Sequence, residues 1–193
     1  MDRAPEAAPS FRFVGGRPCL DLVATLGKRH RPETLERLPD PSALERWRVA
    51  GGVLPERPTA RPGELALART LREAIHRLVR AGMDQRALER SDLETVNRWA
   101  RRRGPVPQLG TGRRVVIACP GHAVTAGLAD VARDAVLLMG GPELGPVKEC
   151  EHPDCSLLFI DRSPSGRRRW CSMESCGNQT KVTGYRDRRR ATA

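Results

Sequence analysis

Aromatic residues are scarce in this chain: one Tyr, three Phe and three Trp among 193 residues. A core must therefore be built mainly from Leu, Val and Ala, which a 39% hydrophobic content allows. Lysine is scarcer still, confined to Lys28, Lys148 and Lys181, while arginine supplies the other 31 of 34 basic residues. No stretch reaches the roughly 18–20 apolar residues of a membrane-spanning helix. The start, MDRAPEAAPSFRF, lacks a basic end leading into an apolar run, so no secretory signal is expected. There is no nucleophile elbow, P-loop, dinucleotide fingerprint or metalloprotease motif. These absences point to a cytoplasmic protein that has no membrane partner and is not an enzyme.

Positive charge is in surplus. The net charge is +11, a balance that favours polyanionic partners such as nucleic acid. The preference for Arg, Ala, Gly and Pro also fits a GC-rich codon bias, so the location of the charge says more than its total. From Arg162 to Arg190 there are nine basic and two acidic residues, net +7 in 29 positions. Residues 1–147 spread the same net +7 over three quarters of the chain.

The pattern along the chain is mainly helical with a small antiparallel sheet. Residues 1–10 read as a disordered leader. Phe11–Val14 alternates and suits a strand, turned by Gly15-Gly16. Cys19–Leu26 is apolar around Asp21 and fits either a buried helix or a strand. Residues 28–39 read as a loop. Asp40-Pro41 sets an N-cap and a proline at the first position of a helix reaching Ala50. After a connector at 55–62, Leu67, Leu71, Ile75, Leu78 and Val79 recur at helical spacing over 63–81. Ser91 and Glu94 form a capping box ahead of a helix to about Arg103, lined by Leu93, Val96, Asn97 and Ala100. Val106–Leu109 and Arg113–Ala118 read as a hairpin. A helix over 122–139 follows, with Leu128, Val131, Ala135 and Leu138 on one side. Trp47, Trp99, Cys19 and Cys119 read as core residues, His76 as a partly buried one and His122 as a surface residue near a helix start.

The remaining four cysteines, Cys150, Cys155, Cys171 and Cys176, follow C-x4-C-x15-C-x4-C. Paired cysteines in a reducing compartment are metal ligands more often than disulfides. Four thiolates fill a tetrahedral zinc shell, leave no open position for water and make the ion structural. His152 is a competing ligand. Residues 156–161 read as a strand, Ser163–Gly166 as its turn and 167–170 as the return, with one ligand pair on either side of that hairpin. So small a module draws much of its folding energy from the metal.

The run Cys150-x4-Cys155, Phe159-x-Asp161, Ser163, Arg168-Arg169-Trp170-Cys171-Ser172-Met173, Cys176-Gly177-Asn178 and Lys181 closely resembles the CGNR zinc finger, which ends proteins with an ABATE domain. FRFVGGRPCLDLVATL and LADVARDAVLLM look similar to landmarks of the N-terminal part of that family. The resemblance implies an α+β ligand-sensing domain over 11–145 and a treble-clef-like C4 finger over 146–190 that binds DNA, in a regulator of the stress response. Two positions depart from the pattern. Gln179 stands where the family has its signature Arg, and Ala24-Thr25 stands where Asn-Thr is frequent. Asp21 and Thr25 are thereby candidate ligand-binding residues, although an acid such as Asp21 more often caps a turn or pairs with an arginine.

A treble clef places its last helix after the second ligand pair, here over about 176–190. On it Val182, Tyr185 and Arg189 share one side and would pack on the hairpin. Gln179, Arg186 and Arg190 share the other and would enter a groove, where Gln reads adenine and Arg reads guanine. Asn178 lies in the same first turn. Lys181, Arg188, Arg167, Arg168 and Arg169 suit phosphates. The competing reading is a zinc-stabilised module whose basic tail meets an acidic protein. An effector molecule and a homo-oligomer complete the set of expected partners.

Overall fold

A computed structural model describes residues 10–52, 60–119 and 123–191, apart from the side chains of residues 62, 184–188, 190 and 191. The leader up to residue 9, most of the 55–62 connector and His122 lie outside the described residues.

Among the described residues, six α-helices and six short strands occur in the order α1 (Pro18–Val23), β1 (Leu26–Gly27), β2 (Leu35–Glu36), α2 (Pro41–Ala50), α3 (Pro62–Met83), α4 (Arg90–Ala100), β3 (Val106–Leu109), β4 (Val115–Ala118), α5 (Ala123–Gly140), β5 (Val147–Glu149), β6 (Leu158–Ile160) and α6 (Asn178–Ala191). The strands form three separate two-stranded antiparallel sheets, β1–β2, β3–β4 and β5–β6. The fold is α+β with a helical majority, as the sequence implied. No described helix is long and apolar enough to cross a membrane.

Helix α2 begins as its sequence dictates. Asp40 Oδ1 accepts the Ala43 amide at 2.8 Å and Pro41 occupies the first turn. Helix α3 is the centre of the core. Leu65, Ala68, Leu71, Ala74, Ile75, Leu78 and Val79 are buried, and α1, α2, α4 and α5 all pack around it. Leu67 is exposed, so the buried stripe begins at Leu65 instead. The helix runs through Gly82 to Met83 rather than stopping before it. Leu128, Val131, Ala135 and Leu138 of α5 are all buried, as are Trp47, Trp99 and Cys19.

Three local expectations are corrected. Phe11–Val14 forms no strand; Phe13 instead stacks on Trp47 with ring centroids 6.3 Å apart. The Ser91–Glu94 capping box is absent, because α4 starts at Arg90 and Ser91 lies inside it. Glu94 pairs with Arg90 at 2.9 Å, and the inward face is Asp92, Val96 and Trp99 rather than Leu93 and Asn97. Asp92 is buried because Arg77 holds it with two hydrogen bonds, at 2.8 and 2.5 Å.

The hairpin of the C-terminal module is the third. β6 pairs backwards with β5, Val147 opposite Ile160 and Glu149 opposite Leu158. The first cysteine pair therefore sits in the connection between the strands, not ahead of them. Residues 167–170 return beside the knuckle through a single backbone bond, Glu151 N to Arg169 O at 3.0 Å, without forming a strand. Along β6 side chains alternate, and both faces are buried. Leu158 and Ile160 enter the main helical core, while Phe159 packs with Ala24, Leu157 and three of the cysteines. One three-residue strand thus belongs to two cores at once.

Candidate metal centre and basic surface

Cys150 and Cys155 come from the knuckle between β5 and β6. Its turn is closed by Cys155 N to His152 O at 2.8 Å and Cys150 N to Leu157 O at 2.9 Å. Cys171 follows the returning segment 167–170, and its own amide points at Cys150 Sγ at 3.3 Å. Cys176 lies in a wide π-helical turn, Met173–Gly177, that leads directly into α6. Gly177 at its end lets the Met173 side chain lie close, since a Cβ there would stand 2.7 Å from Met173 Sδ.

The four sulfurs lie within 4.8 Å of one another. Cys155 and Cys171 are separated by 3.8 Å and Cys171 and Cys176 by 3.6 Å. Zn–S bonds of about 2.3 Å in a tetrahedron require S···S edges of about 3.8 Å, so the donor set fits the ion in number, softness and spacing. His152 stays out of the cluster, its Nδ1 accepting the Asp154 amide at 3.2 Å. Crowding the sulfurs divides their acidities. Hydrogen bonds from the Cys155 and Cys171 thiols hold Cys150 well below the usual thiol range. Hydrogen bonding to Cys150 and Cys171 pushes Cys155 up, and Cys150 helps push Cys171 to about 12. Metal binding removes this conflict, since all four then bind as thiolates.

The frame around the ion explains the rest of the motif. Asp161, buried at the end of β6, accepts from Lys148 Nζ at 2.7 Å, the Ser163 amide at 3.0 Å, the Ser163 hydroxyl at 2.6 Å and the Arg168 amide at 2.9 Å. Lys148 and Ser163 hold its carboxyl well below the usual range. Arg168 lies 4.4 Å above the Phe159 ring. Its Nε donates to the Trp170 carbonyl at 2.9 Å and its Nη2 to the Cys171 carbonyl. This guanidinium is directed into the metal loop.

Of the other residues expected at a nucleic acid, those with described side chains face outward. Arg167, Asn178, Gln179 and Lys181 are exposed, and Arg167 and Lys181 have no acidic partner among the described residues. Arg169 stacks 4.7 Å from the Trp170 ring and pairs with Glu151 at 2.5 Å on the surface. Asn178 Nδ2 donates to Glu174 O at 3.4 Å. The side chains of Tyr185, Arg186, Arg188 and Arg190 lie outside the described ones. Val182 is 48% exposed, so it does not pack on the hairpin as the helical wheel implied.

Sequence reasoning missed a contact from far upstream. Arg12 Nη2 donates to Ser175 Oγ at 2.6 Å and lies 3.7 Å from Cys171 Sγ. Gly15 O accepts the Ile160 amide at 3.0 Å on the outer edge of β6. The loop between β1 and β2 adds Arg29 N to Ser156 Oγ at 3.0 Å, His30 to Glu149 at 2.6 Å and Arg31 to Asp154 at 2.9 Å. A lone arginine between two phenylalanines carries no spacing signal that could have announced this.

Asp21 and Thr25 take structural places. Asp21 Oδ1 accepts the Gly15 amide at 2.9 Å and so fixes the turn that feeds α1. Burial, with Asp134 nearby, pushes its carboxyl up to about 6 against the lowering effect of that bond. Thr25 is fully buried. Its hydroxyl donates to Leu22 O at 2.7 Å and accepts from Arg72 at 3.2 Å. Arg72 in turn grips Glu36 with bonds of 2.7 and 2.9 Å.

Residues 16–142 match the family model named ABATE, described as "putative stress-induced transcription regulator". The chain belongs to the ABATE family. Residues 147–189 match the CGNR zinc finger, which fixes the meaning of the four-sulfur cluster: it holds one structural zinc ion. No curated protein matches the chain. The first match is described as a regulator and the second as a zinc finger. Within this ABATE protein the finger is not a pendant arm, because β6 and Arg12 join it to the helical part.

Proposed function

We propose that the chain is a one-component regulator whose CGNR finger binds duplex DNA and whose ABATE domain takes a small apolar effector. One observation carries the first half. Arg167 and Lys181 are exposed and unmatched by acids among the described residues, on a frame fixed by zinc and by Asp161. Rigid presentation of cations lowers the ordering cost of binding. In this reading Arg167, Arg169, Lys181 and Arg188 meet phosphates, while Asn178, Gln179, Arg186 and Arg190 face base edges. Gln179 in place of the family's Arg shifts the readout from guanine towards adenine.

The effector half rests on a cleft of about 280 Å³ between α3, α4 and α5, lined by Leu78, Leu88, Leu93, Val96 and Met139, with Asn97 as its polar group. Concave, mostly apolar sites with one oriented polar group are the usual form of a ligand pocket. Asp21 and Thr25 are not part of it.

Fluorescence anisotropy of a labelled duplex tests the DNA reading. Micromolar or tighter binding that falls steeply between low and moderate salt supports it, because each neutralised phosphate releases counterion. Absence of binding at low salt rejects it.

A second reading is favoured by the β3–β4 hairpin, where Leu109 is 82% and Val115 72% exposed. Such a surface suits contact with another protein or a second copy of the chain. A pull-down treated with nuclease separates the two, since protein partners survive digestion.

A further inference from the structure

Cations from outside the finger look onto the sulfur cluster. A cleft of about 160 Å³ at the junction is lined by Arg12, Lys28 and Arg37 from upstream and by Cys155 and Cys176 of the finger. Arg12 comes nearest. Its Nη2 lies 3.7 Å from Cys171 Sγ and donates to Ser175 Oγ at 2.6 Å. The helical bundle, not the finger, fixes where this arginine starts from. Phe11 packs against the main core and Phe13 stacks on Trp47, while Arg12 between them turns to the cysteines. Val14 then continues onto the cysteine side.

Arg37 is held in a similar way. Its Nε and Nη1 donate to the carbonyls of Ser10 and Ala24, at 3.1 and 3.3 Å, and Ala24 itself packs with the cysteines. Gly27 leaves room for the guanidinium, whose Nη1 would stand 2.5 Å from a Cβ at that position. Burial and the Arg12 charge lower the Arg37 pKa, and the Cys155 sulfur acts against them. Asp154 also lines the cleft, but Arg31 already pairs with it at 2.9 Å. The negative charge that Arg12 and Arg37 meet is therefore that of the sulfurs.

Four thiolates around a divalent ion leave two negative charges in excess. Partly buried, such an excess is costly unless donors or cations face it. Groups that hydrogen-bond to metal ligands change metal affinity by about 10- to 100-fold. We infer that Arg12, with Arg37 behind it, balances the charge of the zinc–thiolate centre, so that the finger's hold on zinc is set in part by the segment ahead of α1. Arg12 is a positioning residue of the metal centre and not a ligand. Lys28, exposed at the rim, contributes least. The inference concerns zinc alone and is independent of DNA binding.

Zinc affinity of the full chain is measured by competition with a chelator, and the same variants are loaded with cobalt(II) for absorption spectra. Arg12→Gln and Arg37→Gln are each expected to weaken zinc binding by about 10-fold, and Arg12→Lys to recover most of the loss. With the positive charge gone, sulfur electrons are held less tightly. The thiolate-to-cobalt charge-transfer band is therefore expected to move to longer wavelength in Arg12→Gln and to stay near its wild-type position in Arg12→Lys. A merely structural Arg12 would leave the band in place. Zinc affinity within about twofold of wild type in both Gln variants, an unmoved band in Arg12→Gln, or an Arg12→Lys chain as weak as Arg12→Gln overturns the inference. Should Arg12→Gln fail to fold, Arg37→Gln decides by the same two readouts. A chain that keeps these zinc effects but binds no duplex leaves the inference intact and removes only the DNA reading.

Discussion

The guanidinium of Arg168 sits 4.4 Å over the ring of Phe159 and closes on the carbonyls of Trp170 and Cys171. Its neighbour Arg167 is exposed and makes no such contact among the described residues. Adjacent arginines in one basic run therefore do different things. Arg168→Ala is expected to destabilise the zinc-loaded chain by about 2 kcal/mol, from the lost cation–π contact and two carbonyl bonds. Arg167→Ala is expected to leave the melting curve unchanged and to weaken duplex binding, lowering the salt slope by about one. Chemical denaturation and salt-dependent anisotropy on both variants check the pair.

Zinc removal reaches beyond the finger. Leu158 and Ile160 of β6 belong to the helical core and Phe159 to the sulfur cluster. Chelation at neutral pH is expected to release one zinc per chain, expose four thiols to a colorimetric reagent and lower the Tm of the entire chain. A helical part that melts at the same temperature with and without metal would contradict the shared strand.

Two carboxylates give opposite pH dependences. Asp21 titrates near 6 in the folded chain, chiefly through burial, against about 3.9 when unfolded. Its folded form favours the proton, so stability falls as pH rises from about 4 through about 6. Asp21→Asn keeps an oxygen for the Gly15 amide and is expected to be neutral or stabilising at pH 7, by on the order of 1 kcal/mol. Burial alone would raise Glu73, but hydrogen bonds from Arg29 and Arg72 bring it down to about 2. Its contribution is present above the unfolded value of about 4.3 and is lost as pH falls towards 2. Denaturation midpoints between pH 3 and pH 8 for Asp21→Asn and Glu73→Gln measure each limb.

Glycines in two helices separate by their surroundings. A Cβ on Gly127 of α5 would run into the buried guanidinium of Arg48, and Gly127→Ala is expected to cost about 1–3 kcal/mol. A Cβ on Gly63 of α3 meets nothing within 4 Å, and Gly63→Ala is expected to add about 0.5 kcal/mol by lowering the entropy of the unfolded chain. Urea denaturation of each variant decides the sign.

Local chemistry was legible where a few neighbouring residues settle it. Asp40-Pro41 fixed the start of α2, the Gly-rich turn set the β3–β4 register, and the spacing of four cysteines announced the metal. Long-range competition was not legible. Ser91 and Glu94 have the right spacing for a cap, yet α4 starts at Arg90, two residues before the Asp92 start that a Ser91 cap would give, and Asp92 turns inward to Arg77. Leu65 replaces Leu67 because the direction of the core, not the helical period, chooses the stripe. The strand of Val147–Glu149 is three residues long, too short for any alternation to reveal. Arg168 and Arg167 look alike in a basic run, and only the Phe159 ring tells them apart.

The double membership of β6 bears on how this protein can be divided. Cutting the chain near residue 146, between the two matched regions, would strand Leu158 and Ile160 in water and open a groove in the helical bundle they had filled. Each half would carry an apolar scar, so both fragments should precipitate or self-associate when expressed alone. A change in the bundle also has only about one residue's breadth to cross before it moves a sulfur. In the regulator proposed above, an effector in the bundle would therefore act on the finger as strain through a common strand rather than as the swing of one body on a tether.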